Sequence, residues 1–141
     1  MNTLDILEKI GNDEILKKVF AGVFPINLIP PLKHLPCAFI INLDSSHLPG
    51  SHWIGMFFMI KGTCEYFDSY GRLPNKTILE YISAVSDSYV YNNICVQDLW
   101  STSCGNLCLY FLIWRCRGIS FKQIIETMQS DAFITGFVDS L

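Results

Sequence analysis

Cys95-Val96-Gln97-Asp98-Leu99-Trp100-Ser101-Thr102-Ser103-Cys104-Gly105-Asn106 runs straight into the apolar stretch Leu107 to Trp114. The polar Ser101-Thr102-Ser103 suits a loop that opens a helix, and Gly118 suits its end. The pattern predicts a helix from about Cys104 to Arg117, apolar nearly all round and therefore buried. A thiol at the start of such a helix faces unsatisfied backbone N–H groups and the positive end of the helix dipole, both of which favour thiolate. Most free cysteines are small buried hydrophobes, and five of the six here are expected to be so. Gly105 sets Cys104 apart, because a glycine after a nucleophile lets a substrate approach the backbone closely.

Three residues upstream of Cys104 supply what a nucleophilic thiol needs. His52, in Gly50-Ser51-His52-Trp53, is the candidate base. Asp68, in Tyr66-Phe67-Asp68-Ser69-Tyr70-Gly71, is the candidate orienter of its imidazole. Counted outward from Lys61-Gly62, His52 and Asp68 fall at the same end of a hairpin. Asp68 also reads simply as an Asx-turn residue. Gln97 is positioned to donate its side-chain N–H to a developing oxyanion, with the Cys104 backbone N–H as partner. Gly50 and Ser51 are expected to pair with an extended substrate, while Trp53 and Trp100 flank a narrow cleft beside Gly105.

Around this nucleus the pattern predicts an α+β fold, a small, mainly antiparallel sheet packed on the central buried helix that carries Cys104. A first helix is expected from about Asp5 to Val19, capped by Thr3, with Leu4, Leu7, Ile10, Ile15 and Val19 as its stripe. The stretch from Gly22 to Pro36 holds four of the six prolines and reads as irregular. Cys37 to Leu43 reads as a buried strand, and a polar loop from Asp44 to Ser51 follows it. Trp53 to Ile60 and Cys64 to Asp68 form a hairpin through Lys61-Gly62-Thr63. A second helix runs from Pro74 through Asn75 to about Ser86, and a short strand covers Tyr89 to Val96. Ser120 caps one last helix ending near Met128.

The chain has 141 residues, half of them hydrophobic and 16% charged, which excludes a disordered tail and fits a single domain over residues 1–141. A net charge of −3 is too mild to argue for nucleic acid or an anionic membrane. No apolar run approaches the roughly 20 residues of a membrane span, and no signal-peptide pattern opens the sequence. An intracellular protein with reduced thiols is expected. Metal is not expected, since no Cys-x-x-Cys occurs and His34, His47 and His52 lack ligand spacing. No cofactor motif is present.

Gly50-Ser51-His52-Trp53, Phe67-Asp68-Ser69-Tyr70-Gly71, Gln97 and Cys104-Gly105, with Cys108 and Phe111, resemble the adenain-like cysteine proteases. Val23-Phe24-Pro25 through Ile40-Ile41-Asn42 is also similar to the N-terminal part of adenoviral maturation proteases. That group includes proteases of Maverick-type viral-like elements and shares a clan with the ubiquitin-like-modifier proteases. The resemblance implies a papain-type site in altered chain order, with His52, Asp68 and Cys104 as triad and Gln97 as oxyanion residue. It implies cleavage after glycine in capsid or core precursors, in host cytoplasm or nucleus, with packaging in the virion. Asp68 stands where the adenoviral enzyme has Glu. Ser86 lies where that enzyme offers a cysteine to its activating peptide, which counts against a disulfide-linked activator here. The acidic balance counts against activation by DNA. Two other readings are a deconjugase of a ubiquitin-like modifier and an inactive interaction module of the same fold.

Overall fold

A computed structural model describes residues 2–44, 52–59, 62–96, 104–128 and 131–141. Its centre is a five-stranded sheet in chain order: β1 (Phe20–Pro25), β2 (Cys37–Asn42), β3 (Trp53–Phe58), β4 (Thr63–Phe67) and β5 (Ser88–Tyr91). The three middle strands are antiparallel, whereas β1 joins β2, and β5 joins β4, in parallel. The expected antiparallel sheet is thus its middle, with a parallel strand added at each edge.

Period-two alternation sorts the side chains of β2 to β4 onto two faces, and both are covered. Ala38, Ile40, Trp53, Phe57 and Phe67 pack against Leu107, Cys108, Phe111 and Leu112 of the central helix, α4 (Cys104–Arg115). Phe39, Ile41, Ile54, Met56 and Tyr66 pack against Ile78 and Ile82 of α3 (Lys76–Val85). On the far side of α4, Ile6 and Ile10 of α1 (Thr3–Gly11), Leu16 of α2 (Leu16–Val19), Ile124 of α5 (Phe121–Glu126) and Ile134 of α6 (Asp131–Asp139) complete its burial. This is why α4 is apolar all round: sheet on one side, helices on the other. Gly55 on β3 lets α4 sit close, since a Cβ there would already touch Phe111 at 3.4 Å.

Elements differ from expectation where local side-chain bonds overrule periodicity. The first helix stops at Gly11. Its cap is Asn2, in a reciprocal box with Asp5 (3.0 and 2.8 Å). Asp13 then accepts from the N–H groups of Ile15 and Leu16 and restarts the chain as α2. Ile6, Ile10 and Leu16 are buried, while Leu4, Leu7 and Ile15 of the expected stripe are exposed. Gly22 to Pro25, expected as irregular, belong instead to the edge strand β1, where a proline at the end costs little pairing. Asn75 caps α3, one residue after Pro74. β5 ends at Tyr91 because Asn92 turns away to other partners. Helix α6 has no counterpart in the expected elements. The loop over residues 45–51 and the turn at Lys61 lie outside the described residues.

Candidate active site

His52 immediately precedes β3. Its carbonyl accepts from Leu43 N at 2.9 Å, one more rung of the β2–β3 ladder, so its backbone is set by the sheet. Asp68 immediately follows β4. The register Gly55↔Phe67 places the two residues at the same end of the hairpin, as the count from the turn requires. Asp68 Oδ1 meets His52 Nε2 at 2.8 Å, and the carboxylate is almost wholly buried.

Asp68 is held from several sides. Its Oδ1 also accepts from Tyr70 N at 2.9 Å, so the same oxygen makes the Asx-turn contact and the contact to the imidazole. Gly71 N closes the turn on Asp68 O at 2.7 Å. Gly71 has φ +72, and a Cβ there would lie 2.7 Å from the Ile94 carbonyl carbon, so only glycine fits. Asn92, 2% exposed, accepts from Asp68 N (2.9 Å) and donates to Asp68 O (2.6 Å) and Ile94 O (3.3 Å). The Tyr70 ring stacks on the His52 imidazole at 4.9 Å, and the Arg72 guanidinium lies over the Tyr70 ring, also at 4.9 Å. Arg72 Nε also approaches Asp68 Oδ2 at 3.4 Å.

Cys104 opens α4 and is buried. Its Sγ accepts from Trp53 N at 3.5 Å and pairs with the side chain of His52. Burial disfavours the charged form of all three groups, yet mutual attraction outweighs it. Hydrogen bonds to His52, Trp53 N and Gly105 N hold the Cys104 thiol below its ordinary range. Asp68 and Cys104 together push His52 up to about 9. His52, Tyr70 N and Arg72 keep Asp68 below the usual carboxylate range. Each group thus favours the charged form of the other, thiolate for Cys104 and imidazolium for His52. Cys108, one turn on and fully buried, shows the opposite: burial drives its thiol well up, and its Sγ–H donates to Trp53 O at 3.4 Å.

The structure therefore brings His52, Asp68 and Cys104 together. Trp53 contributes its backbone N–H, while its indole is buried in the core beside Cys104 and Leu107. Gly105 is buried in the first turn of α4, with its N–H directed at the sulfur. Gln97, Gly50, Ser51 and Trp100 lie outside the described residues. The sequence reading missed Asn92, Tyr70 and Arg72. Tyr91-Asn92-Asn93 reads only as a turn, and nothing local separates Asn92 from its neighbour. Among the described residues, no group of His, Cys, Asp or Glu is arranged to hold a metal ion.

A five-stranded sheet against a helix that opens with Cys104 is an arrangement this chain shares with the solved structures of a viral protease. The crystal structure of the African swine fever virus pS273R protease superposes with a TM-score of 0.74 at 19% identity, covering 97% of this chain and 65% of that one. Its selenomethionine form gives 0.72 at 20% identity, with coverages of 98% and 66%. In sequence, the chain is 27% identical over 104 residues to Cysteine protease S273R of the tick isolate Malawi Lil 20-1, covering 65% of this chain and 38% of that protein. It is 26% identical over 104 residues to the SUMO-1 cysteine protease S273R of the Kenyan pig isolate, with the same coverages. The chain thus spans about two fifths of the length of these curated relatives. No protein-family model matches it. The similarity is to viral cysteine proteases; adenain is not the protein these comparisons point to.

Proposed function

We propose that the chain is a cysteine endopeptidase that matures structural precursor proteins of a virus or viral-like element by cutting after glycine. The observation that carries the reading is the convergence of His52 and the N–H groups of Trp53 and Gly105 on Cys104 Sγ, with His52 Nε2 tied to Asp68 at 2.8 Å. In this mechanism the Cys104 thiolate attacks the scissile carbonyl. The oxyanion is met by the Cys104 backbone N–H and the Gln97 side chain, and His52 passes its proton to the departing amine. Neutral His52 then takes a proton from water, whose oxygen attacks the thioester; the proton returns to the pair as Cys104 leaves. Asp68 holds the ring's tautomer and stabilises its cation. Gly50 and Ser51 pair with the substrate strand, and Trp100 narrows the cleft to backbone with little side chain, while Trp53, its indole in the core, contributes only its backbone N–H.

The viral origin of the relatives supports a substrate made by the same element, met in the host cell or within the particle. The test is incubation with that element's structural proteins and sequencing of the new termini. Cuts after glycine that vanish in Cys104→Ala are expected, and efficient cutting after leucine or phenylalanine would remove the narrow slot. The printed name SUMO-1 cysteine protease on a relative favours a second reading, a deconjugase. Cleavage of a ubiquitin-like fusion, with precursors left intact, selects that reading. Absence of any thiol-dependent turnover with either substrate leaves an interaction module of the same fold.

A further inference from the structure

The turn that follows β4 carries more than the acid. Its backbone is tied along its length: Asp68 O accepts from Gly71 N at 2.7 Å, Asp68 Oδ1 from Tyr70 N at 2.9 Å, and Ser69 O from Val96 N at 2.8 Å. A backbone held this closely delivers the half-buried Tyr70 side chain to one place, and that place is the face of the His52 imidazole. The two ring centroids are 4.9 Å apart, with the planes 25° from parallel. Arg72 braces the tyrosine, its guanidinium over the phenol ring while its Nε approaches Asp68 Oδ2 at 3.4 Å.

His52 needs such a contact because its other partners grip only the edge of the ring. Asp68 Oδ1 holds Nε2 at 2.8 Å, and the second partner is the side chain of Cys104. Once Cys104 is acylated, its sulfur has neither charge nor proton, and that grip is lost midway through the reaction. Having given its proton to the departing amine, neutral His52 must then take one from water while Asp68 alone holds its edge. The Tyr70 face is the same at every stage. An aromatic face also attracts a cation, so the stack favours imidazolium over imidazole.

We propose that Tyr70 is a positioning residue for His52, its ring fixing the plane of the imidazole through the acyl-enzyme stage. The inference rests on the reading of the chain as a cysteine peptidase. The ring face carries the role, since the phenol oxygen makes no hydrogen bond among the described residues. The other groups around the imidazole stay unchanged when Tyr70 is replaced: Asp68 and Arg72 in the turn, Cys104 on α4, and behind it Cys108, which burial keeps protonated.

The test compares Tyr70→Leu, which removes the aromatic face, with Tyr70→Phe, which keeps it. Tyr70→Met is a second variant without an aromatic face, for use if Tyr70→Leu fails to fold by circular dichroism. NMR of the His52 ring protons across pH needs no turnover. In Tyr70→Leu these protons should lose the ring-current shift of the stacked phenol, and their titration midpoint should fall by roughly half a unit. Tyr70→Phe should show neither change.

The kinetic arm uses the p-nitrophenyl ester of acetyl-Gly-Gly, with Cys104→Ala as the blank, so that hydrolysis of the acyl-enzyme limits the rate. In Tyr70→Leu, kcat and KM should fall together, roughly 3- to 30-fold, leaving kcat/KM nearly unchanged. Tyr70→Phe should again match wild type. A lower kcat/KM at unchanged KM would place the damage in acylation and overturn the proposal. So would damage in Tyr70→Phe equal to that in Tyr70→Leu, or a fall in Tm with His52 titration and kcat unmoved. A wild-type chain that shows the stacked ring-current shift yet has no Cys104-dependent turnover would overturn the peptidase reading, and the acyl-enzyme role with it.

Discussion

Asn92→Ala removes the side chain that fastens Asp68 to the end of β5. Three hydrogen bonds are lost, but they do not weigh equally. Asp68 O keeps Gly71 N at 2.7 Å as a donor. Ile94, whose carbonyl takes the long 3.3 Å bond, is half exposed, and water can replace that partner. Asp68 N–H has Asn92 Oδ1 alone, at 2.9 Å and buried, so its desolvation goes uncompensated. An unsatisfied buried donor costs about 1–3 kcal/mol, and a small cavity adds to it. For a chain of this length, about 2 kcal/mol corresponds to a fall in Tm of roughly 5–10 °C. The effect should also reach catalysis, because Asp68 is the anchor of His52: a displacement on the order of 1 Å lowers turnover up to about 100-fold. Calorimetry of the variant measures the first effect, and kcat/KM on a glycine-containing precursor peptide measures the second. A Tm within about 2 °C of wild type, with kcat/KM unchanged, would refute the view that Asn92 holds the carboxylate in place.

Alkylation of Cys104 by iodoacetamide should extend to lower pH than that of an ordinary thiol, since its thiol lies below the ordinary range, and turnover should drop on the alkaline side near 9 as His52 loses its proton. These limits belong to the coupled pair, and a single rising curve of an ordinary thiol would dismiss the ion pair. Because His52 is raised in the folded state, its contribution to stability is full below about 6.5 and fades as pH rises through about 9, which denaturation at several pH values can follow. Gln97→Ala should lower kcat roughly 10²- to 10³-fold with little change in KM, and an unchanged kcat would release Gln97 from the oxyanion role. Arg115 clasps Glu65 with two bonds (2.6 and 3.0 Å), and both side chains are largely buried, so Arg115→Met alone should cost about 3–5 kcal/mol. Adding Glu65→Met should restore most of the stability; equal damage from the single and double variants would show that packing, not the stranded charge, sets the cost.

The sequence by itself carried the central helix, the hairpin and the chemical order His52, Asp68, Cys104. Each is written in a short window: a polar run into an apolar one, two alternating segments about a turn, and reactive residues at element ends. The hairpin count is a local rule, and it sufficed to bring His52 and Asp68 to one end. What tertiary structure alone decided is everything that depends on a distant partner. Phe20 to Pro25 is a strand because β2 offers it an edge, and α6 is held by α4 through Ile134 and Val138. The first helix breaks where Asp13 captures two backbone N–H groups while itself held by Arg117 from the far end of α4. Asn92 becomes a clamp only because β5 lies parallel beside β4, which brings it level with Asp68. Periodicity reports which face of an element avoids water. It does not say what will cover that face, and an asparagine shows no preference for its partner until the sheet has set the register.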